Sequence, residues 1–222
     1  KAGVEFCRLY HAHRHSRVPM LFYETIEPST LDLLRRIQSE ALFKECRLVG
    51  GTSLALQFGH RKSIDLDFFG KFDPDPLQIK DLLKGIGSVQ VLQESKFIFQ
   101  YVVNDVKVDF VNYPYGWISE RVDEDNLYLA SPRDIAAMKL AAITNRGTKK
   151  DFIDLFELLG HFSLAQMLDF YKDKYADGIP FTTLKSLTWF EDAEDDPMPT
   201  MLRDYSWEKV KDRISAEVGQ LV

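Results

Sequence analysis

The 222-residue chain is 45% hydrophobic and carries a formal net charge of −6. That is enough apolar content to bury a core, and too acidic a balance for a broad, sequence-independent grip on nucleic acid, which needs a basic surface to displace counterions. No apolar run reaches the roughly 20 residues of a membrane span and no cleavable apolar leader opens the chain, so a cytoplasmic protein without membrane contact is expected. The two cysteines, Cys7 and Cys46, have neither the count nor the spacing of a disulfide framework or a zinc site.

Residues 1–19 show no sustained period and read as an N-terminal extension, just ahead of Met20. Its alternating His11, His13 and His15 would share one side of an extended strand, where a metal can be held, but a poorly ordered arm is the plainer reading. Residues 29–45 (STLDLLRRIQSEALFKE) carry an N-cap candidate in Ser29 and near-helical apolar spacing, which predicts a long surface helix. Arg47, Leu48 and Val49 then form a short strand entering Gly50-Gly51. A helix is expected over 52–58 and an alternating strand over 63–69 (SIDLDFF). Residues 73–87 make an amphipathic helix with proline near its start and glycine at its end. Strands follow at 89–92, 97–103 and 106–112, the last two joined by Asn104-Asp105, a pair suited to a hairpin.

Past Pro114 the pattern turns helical, with helices near 131–144, 149–159, 163–175, 182–190 and 207–221 and an acidic loop at 191–196 (EDAEDD). The whole predicts an α+β protein: a mixed sheet with flanking helices over 20–115, then a helical C-terminal region over 116–222 packed on that core. The pairs Arg35-Arg36, Arg61-Lys62 and Lys149-Lys150 read as solvated surface or, alternatively, as local basic patches.

Residues two apart on a strand project alike, so Asp65 and Asp67 are set side by side while Ile64, Leu66 and Phe68 face the other way. Two adjacent carboxylates repel, and a hard divalent cation such as Mg²⁺ or Mn²⁺ relieves the conflict. An isolated D-x-D on a wet strand face is common; the preceding segment gives it weight. Gly50 and Gly51 permit close backbone approach, and Thr52 and Ser53 place hydroxyls and amides at a helix start, where phosphates bind. If the strand over 106–112 lies beside the D-x-D strand, Asp109 joins the pair. Three acids can then hold two cations roughly 4 Å apart for in-line displacement, with Asp109 as general base. Lys139 is a lone cation in an apolar helix; it either covers core surface with its stem or neutralises a triphosphate. Asp151 and Asp154 on the next helix can pair with Lys139, Arg133 or Arg146.

In order and spacing, GGTSLALQFGHRKSIDLDFF, VKVDFVNYPY and SPRDIAAMKLAAITNRGTKKDFIDLFELL resemble the AbiEii/AbiGii toxin family of bacterial nucleotidyltransferases, over roughly residues 45–160. The resemblance implies a polymerase-beta-type nucleotidyltransferase fold, with Gly51, Thr52 and Ser53 in a triphosphate-binding loop and Asp65 and Asp67 as metal ligands. Asp109 sits where a third carboxylate is expected. Lys139 and Asp154 match the family's later lysine and aspartate motifs, one touching phosphate and the other completing the active centre. The resemblance further implies an NTP co-substrate, an RNA acceptor such as the 3′ end of tRNA, and a cognate antitoxin that is functionally linked without necessarily being bound.

Two other readings fit the same residues. The acceptor is instead a small antibiotic or a protein side chain, which the acidic run favours if it lines the cleft; or the chain is a catalytically degenerate nucleotide-binding or interaction module.

Overall fold

The computed structural model describes residues 21–72 and 75–221. The expected N-terminal extension, with Cys7, its three histidines and Met20, lies outside them, as do Asp73 and Pro74.

The elements run α1 (Pro28–Ser39), β1 (Arg47–Leu48), α2 (Gly50–Phe58), β2 (Leu66–Gly70), α3 (Pro76–Ile86), β3 (Val89–Glu94), β4 (Ile98–Val103), β5 (Val106–Asn112), β6 (Val122–Glu124), β7 (Leu127–Leu129), α4 (Pro132–Asn145), α5 (Lys149–Leu158), α6 (Leu164–Lys174), α7 (Pro180–Ser186), α8 (Glu191–Glu194) and α9 (Trp207–Gly219). The first helix is shorter than its periodicity suggests. Glu40 turns extended, and a 3₁₀ turn at Ala41–Phe43 follows, which lets Phe43 stack on Phe110 at 4.2 Å inside the core. Asp75 caps α3 by accepting from the Leu77 amide at 3.0 Å, with Pro76 in the first turn, where a missing N–H costs nothing.

One mixed sheet in the order β3-β4-β5-β2-β1-β7-β6 organises the chain. β2 pairs with β5 in parallel, β1 with β2 antiparallel, and β1 with β7 in parallel. Asn104 and Asp105 both take positive φ in the two-residue β4–β5 turn, as the hairpin geometry demands. The hairpin β6–β7 was not signalled by periodicity. Its turn residues, Asp125 and Asn126, also have positive φ, and they extend the sheet within the stretch between Pro114 and Ser131.

The sheet is covered on both faces. On one, Leu48, Leu66, Phe68, Val108 and Phe110 pack with α1 and α3. On the other, Val49 and Phe69 meet the C-terminal helices, whose own apolar residues, among them Phe152, Ile153, Met167 and Ile214, continue that core. No helix among the described residues is long and apolar enough to cross a membrane.

Phe110 is fully buried between Phe43 and Phe68, ring centroids 4.2 Å and 5.3 Å away. Phe110→Ala should cost about 3–5 kcal/mol, from lost transfer energy plus the cavity left behind; urea unfolding of the two proteins measures it.

Candidate active site

The alternation of β2 sends Leu66 and Phe68 into one core and Asp67 to the opposite face. The parallel ladder sets Asp67 directly across from Asp109 of β5. Two carboxylates are thus held at adjacent sheet positions by backbone pairing alone. They are not equivalent: Asp109 Oδ2 accepts from Gln100 Nε2 and from Lys107 Nζ, both at 2.8 Å. Asp109 Oδ1 is buried and has no hydrogen-bond partner among the described residues. Asp67 is pushed up to about 6 by its burial, then by the charges of Asp109 and Asp65.

Asp65 departs from the expected alternation. β2 begins only at Leu66, so Asp65 precedes the strand, with its carbonyl accepting from the Thr52 hydroxyl and its carboxylate 3.5 Å from Lys150 Nζ. Among the described residues no three histidine, cysteine, aspartate or glutamate side chains converge as a ready chelate. Asp65, Asp67 and Asp109 therefore approach one another without closing a cage.

Gly50 stands at the mouth of this acidic patch. Its φ is +67°, in the left-handed region, and a Cβ there would lie 2.6 Å from Asp67 Oδ2. The glycine is required twice over, by backbone conformation and by proximity. No side chain caps the N-terminus of α2, so its first amides are not satisfied by a cap and are placed to meet an anion. The hydroxyls of Thr52 and Ser53 are already engaged: Thr52 Oγ1 bonds Ser63 Oγ at 2.8 Å as well as the Asp65 carbonyl, and Ser53 Oγ lies 3.2 Å from Gln57 Nε2. Both residues are buried, so Thr52 ties the turn to Asp65 and the anion contacts that remain open are backbone ones.

Below the turn lies a buried ionic network. A Cβ on Gly51 would collide with Arg61 Nη2 and come within 3.2 Å of Asp154 Oδ2. Arg61 grips Asp154 through Nε at 2.7 Å and Nη2 at 2.9 Å, and His60 Nε2 is 2.8 Å from the same carboxylate. Lys139 Nζ spans Asp154 Oδ2 at 2.6 Å and Asp151 Oδ1 at 2.9 Å. Asp151 also takes Arg146 Nε at 2.9 Å and the Thr148 hydroxyl at 2.6 Å. Burial alone would raise the Asp154 carboxyl; the charges of Arg61 and Lys139 and the hydrogen bond from His60 outweigh it and hold the group well below the ordinary aspartate value. Asp151 is lowered in the same way by Lys139 and Arg146.

The structure thus brings Gly50 to Asp67, Asp67 to Asp109, and Lys139 to Asp154. It does not leave Lys139 free: the residue is 5% exposed and committed to two carboxylates. Arg133, a possible partner for these acids, stacks over Phe170 instead. Arg61 and Lys149, grouped with surface pairs, are buried, Lys149 donating to the Glu194 and Asp196 carbonyls. The acidic run is partly helical, and its Glu194 carboxylate takes up Trp207 and Lys211. His60 and Gln100 were not marked out by any local pattern; the partner of His60, Asp154, lies 94 positions away, and that of Gln100, Asp109, faces it across the β4–β5 hairpin.

A glycine turn at a helix start, set beside paired strand carboxylates, suits a phosphate-bearing substrate handled together with a divalent cation. The chain belongs to the family of nucleotidyl transferase AbiEii toxins of type IV toxin–antitoxin systems, whose model matches residues 32–218. It is 31% identical over 196 residues to the uncharacterized protein aq_aa25 of Aquifex aeolicus, covering 85% of this chain and 94% of that one. Its fold is shared with solved structures. JHP933 of Helicobacter pylori superposes with a TM-score of 0.55 at 18% identity, covering 88% of this chain and 93% of that one. MenT4, a nucleotidyltransferase toxin of Mycobacterium tuberculosis, superposes with a TM-score of 0.55 at 18% identity, covering 87% and 84%.

The raised Asp67 carboxyl has a consequence for stability. The folded state holds this proton more tightly than the unfolded chain, so the group favours folding below about pH 4, and that contribution is lost as pH rises through about 6. Asp67→Asn should therefore stabilise the metal-free protein by about 3 kcal/mol at pH 8 and leave it nearly unchanged at pH 4. Urea titrations in EDTA at the two pH values test this; equal stabilities at pH 8 would refute it.

Proposed function

We infer that the chain transfers a nucleoside monophosphate from an NTP to the 3′ end of an RNA, tRNA above all, with pyrophosphate leaving, and that it acts in the cytoplasm as the toxin of a two-component system. The antitoxin is linked to it functionally and need not bind it. One observation carries the chemistry: Gly50, at the start of α2, touches Asp67, which is paired in register with Asp109. A triphosphate on the α2 amides would therefore lie directly against the carboxylates.

The donor set fits a divalent cation. All three side chains offer hard oxygens, the repulsion of Asp67 by Asp109 and Asp65 is only partly offset by Lys107 and Lys139, and Asp109 Oδ1 is buried without a partner among the described residues. Asp65, Asp67 and Asp109 would hold Mg²⁺ or Mn²⁺. When bound, the metal supplies charge stabilisation for the triphosphate and makes the acceptor hydroxyl more acidic.

The chain's own groups do the rest. Backbone amides at Gly51 and Thr52 hold phosphate oxygens, and the positive φ of Gly50 keeps that turn open. Asp109 receives the proton of the attacking hydroxyl, its carboxylate oriented by the Gln100 amide that donates to Oδ2. Lys139, Arg61 and Asp154 act from beneath: by fixing one another they fix the position of Gly51.

An RNA acceptor needs cations beside the acids, and Lys107, Lys150 and Arg146 provide them, with side chains 43%, 49% and 60% exposed. Two acids of the acidic run, which would favour the antibiotic reading if it lined the cleft, are engaged elsewhere: the Glu194 and Asp196 side chains are turned to Lys211, Trp207 and the Lys149 amide.

Incubation with each radiolabelled NTP and total cellular RNA is the decisive assay, with label expected on a tRNA-sized species. Asp67→Asn should lower transfer by at least about a thousandfold while the protein stays folded; labelling at the wild-type rate would remove Asp67 from the mechanism. Lys139→Ala should behave differently, losing about 3–5 kcal/mol of stability because it leaves two buried carboxylates short of a cation, which thermal unfolding will show.

A further inference from the structure

Lys107 and Asp109 project from the same face of β5, the face onto which β2 brings Asp67. The ladder begins at Leu66 and Val108, so Asp65 precedes it, while Lys107 stands on β5 itself, two residues before Asp109. The acidic patch therefore contains one cation of its own strand. Its ammonium is 2.8 Å from Asp109 Oδ2, yet the side chain is 43% exposed. Gln100 donates to that same oxygen at 2.8 Å, and Oδ1 is the buried atom left without a partner.

We propose that Lys107 is an exchangeable counter-ion. It neutralises Asp109 while no metal is bound, and passes to the triphosphate when metal and nucleotide enter together. The proposal rests on the reading of Asp65, Asp67 and Asp109 as metal ligands.

Two effects of Lys107 on metal binding oppose each other. It orients Asp109, which helps a cation, and it places a like charge a few ångströms from where that cation must sit, which hinders it. Orientation is duplicated by Gln100, which keeps its bond when Lys107 is removed. Nothing in the patch offsets the repulsion, so repulsion wins and loss of Lys107 strengthens binding of a bare divalent ion. A metal–triphosphate reverses the sign, because it brings more negative than positive charge and gives the ammonium a better partner. Lys107 can follow it, being a half-exposed point charge on a flexible stem. Lys139 cannot, buried between Asp151 and Asp154. Lys150 holds Asp65 more loosely, at 3.5 Å, and its removal should have a smaller effect on bare metal.

The test is titration of the full chain with Mn²⁺ alone, then with inorganic tripolyphosphate in saturating Mg²⁺, for wild type, Lys107→Met, Lys107→Gln and Lys150→Met. Asp67→Asn is the reference for lost metal binding, and melting temperatures confirm folding. Both Lys107 variants should bind Mn²⁺ about tenfold more tightly and tripolyphosphate about tenfold more weakly. Unchanged or weaker Mn²⁺ binding would overturn the proposal, as would tighter Mn²⁺ with unchanged tripolyphosphate. A wild-type protein that binds no Mn²⁺, or an Asp67→Asn variant that binds it equally well, would instead sink the metal-site reading and this inference with it.

Discussion

Asp154 is a fully buried carboxylate that holds a guanidinium, an ammonium and an imidazole at once. Burial of a charge is costly unless every partner stays in place, and removing one leaves an uncompensated ion worth about 3–5 kcal/mol. The network therefore locks together three segments far apart in sequence: the stretch after α2, α4 through Lys139, and α5 through Asp151 and Asp154. The C-terminal region adds to the clamp, since Arg61 bridges to Met201, Lys62 donates to the Thr200 carbonyl and Arg203 pairs with Glu157. Gly51 rests on Arg61 so closely that no larger residue fits. The shape of the glycine turn is in this sense set from below.

The same residue type is used in two opposite ways within one site. Asp154 is surrounded by cations and held ionised, which makes it a fixed structural charge. Asp67 is half-buried beside other acids, with no cation in direct contact among the described residues, and its carboxyl rises. A carboxylate that the fold leaves uncompensated is one that an incoming cation can satisfy, whereas a compensated one has nothing to offer it. Environment, not identity, separates the compensated scaffold aspartates from those proposed to face substrate.

Much of this was legible in local sequence. Period-two alternation located β4 and β5 closely, Asn104-Asp105 marked the hairpin, and Gly50-Gly51 with D-x-D pointed to the candidate site, because each depends on neighbours within a few residues. The failures share one cause, which is dependence on distant partners. Arg61 looked like half of a surface pair, since Asp154, 93 positions away, is invisible to any window. The hydroxyls of Thr52 and Ser53, read as phosphate-binding groups, also have partners outside the turn's own sequence in Ser63, Asp65 and Gln57. β6 and β7 are three residues each, too short for a period, and only the turn residues Asp125 and Asn126 carried a signal.

The overall charge of −6 speaks against a polyanionic acceptor only if the whole surface acts on it. At physiological ionic strength the Debye length is about 8 Å, so charges beyond the immediate surroundings of the site are largely screened. On the proposed reading, what an RNA end would meet there is Lys107, Lys150 and Arg146, three cations at least two-fifths exposed and each paired with an aspartate. The acids thus gather the cations that an anionic substrate requires. A neutral or acidic protein can in this way present a locally basic entrance without being a general nucleic-acid binder, and its grip on RNA would be confined to the segment placed for reaction.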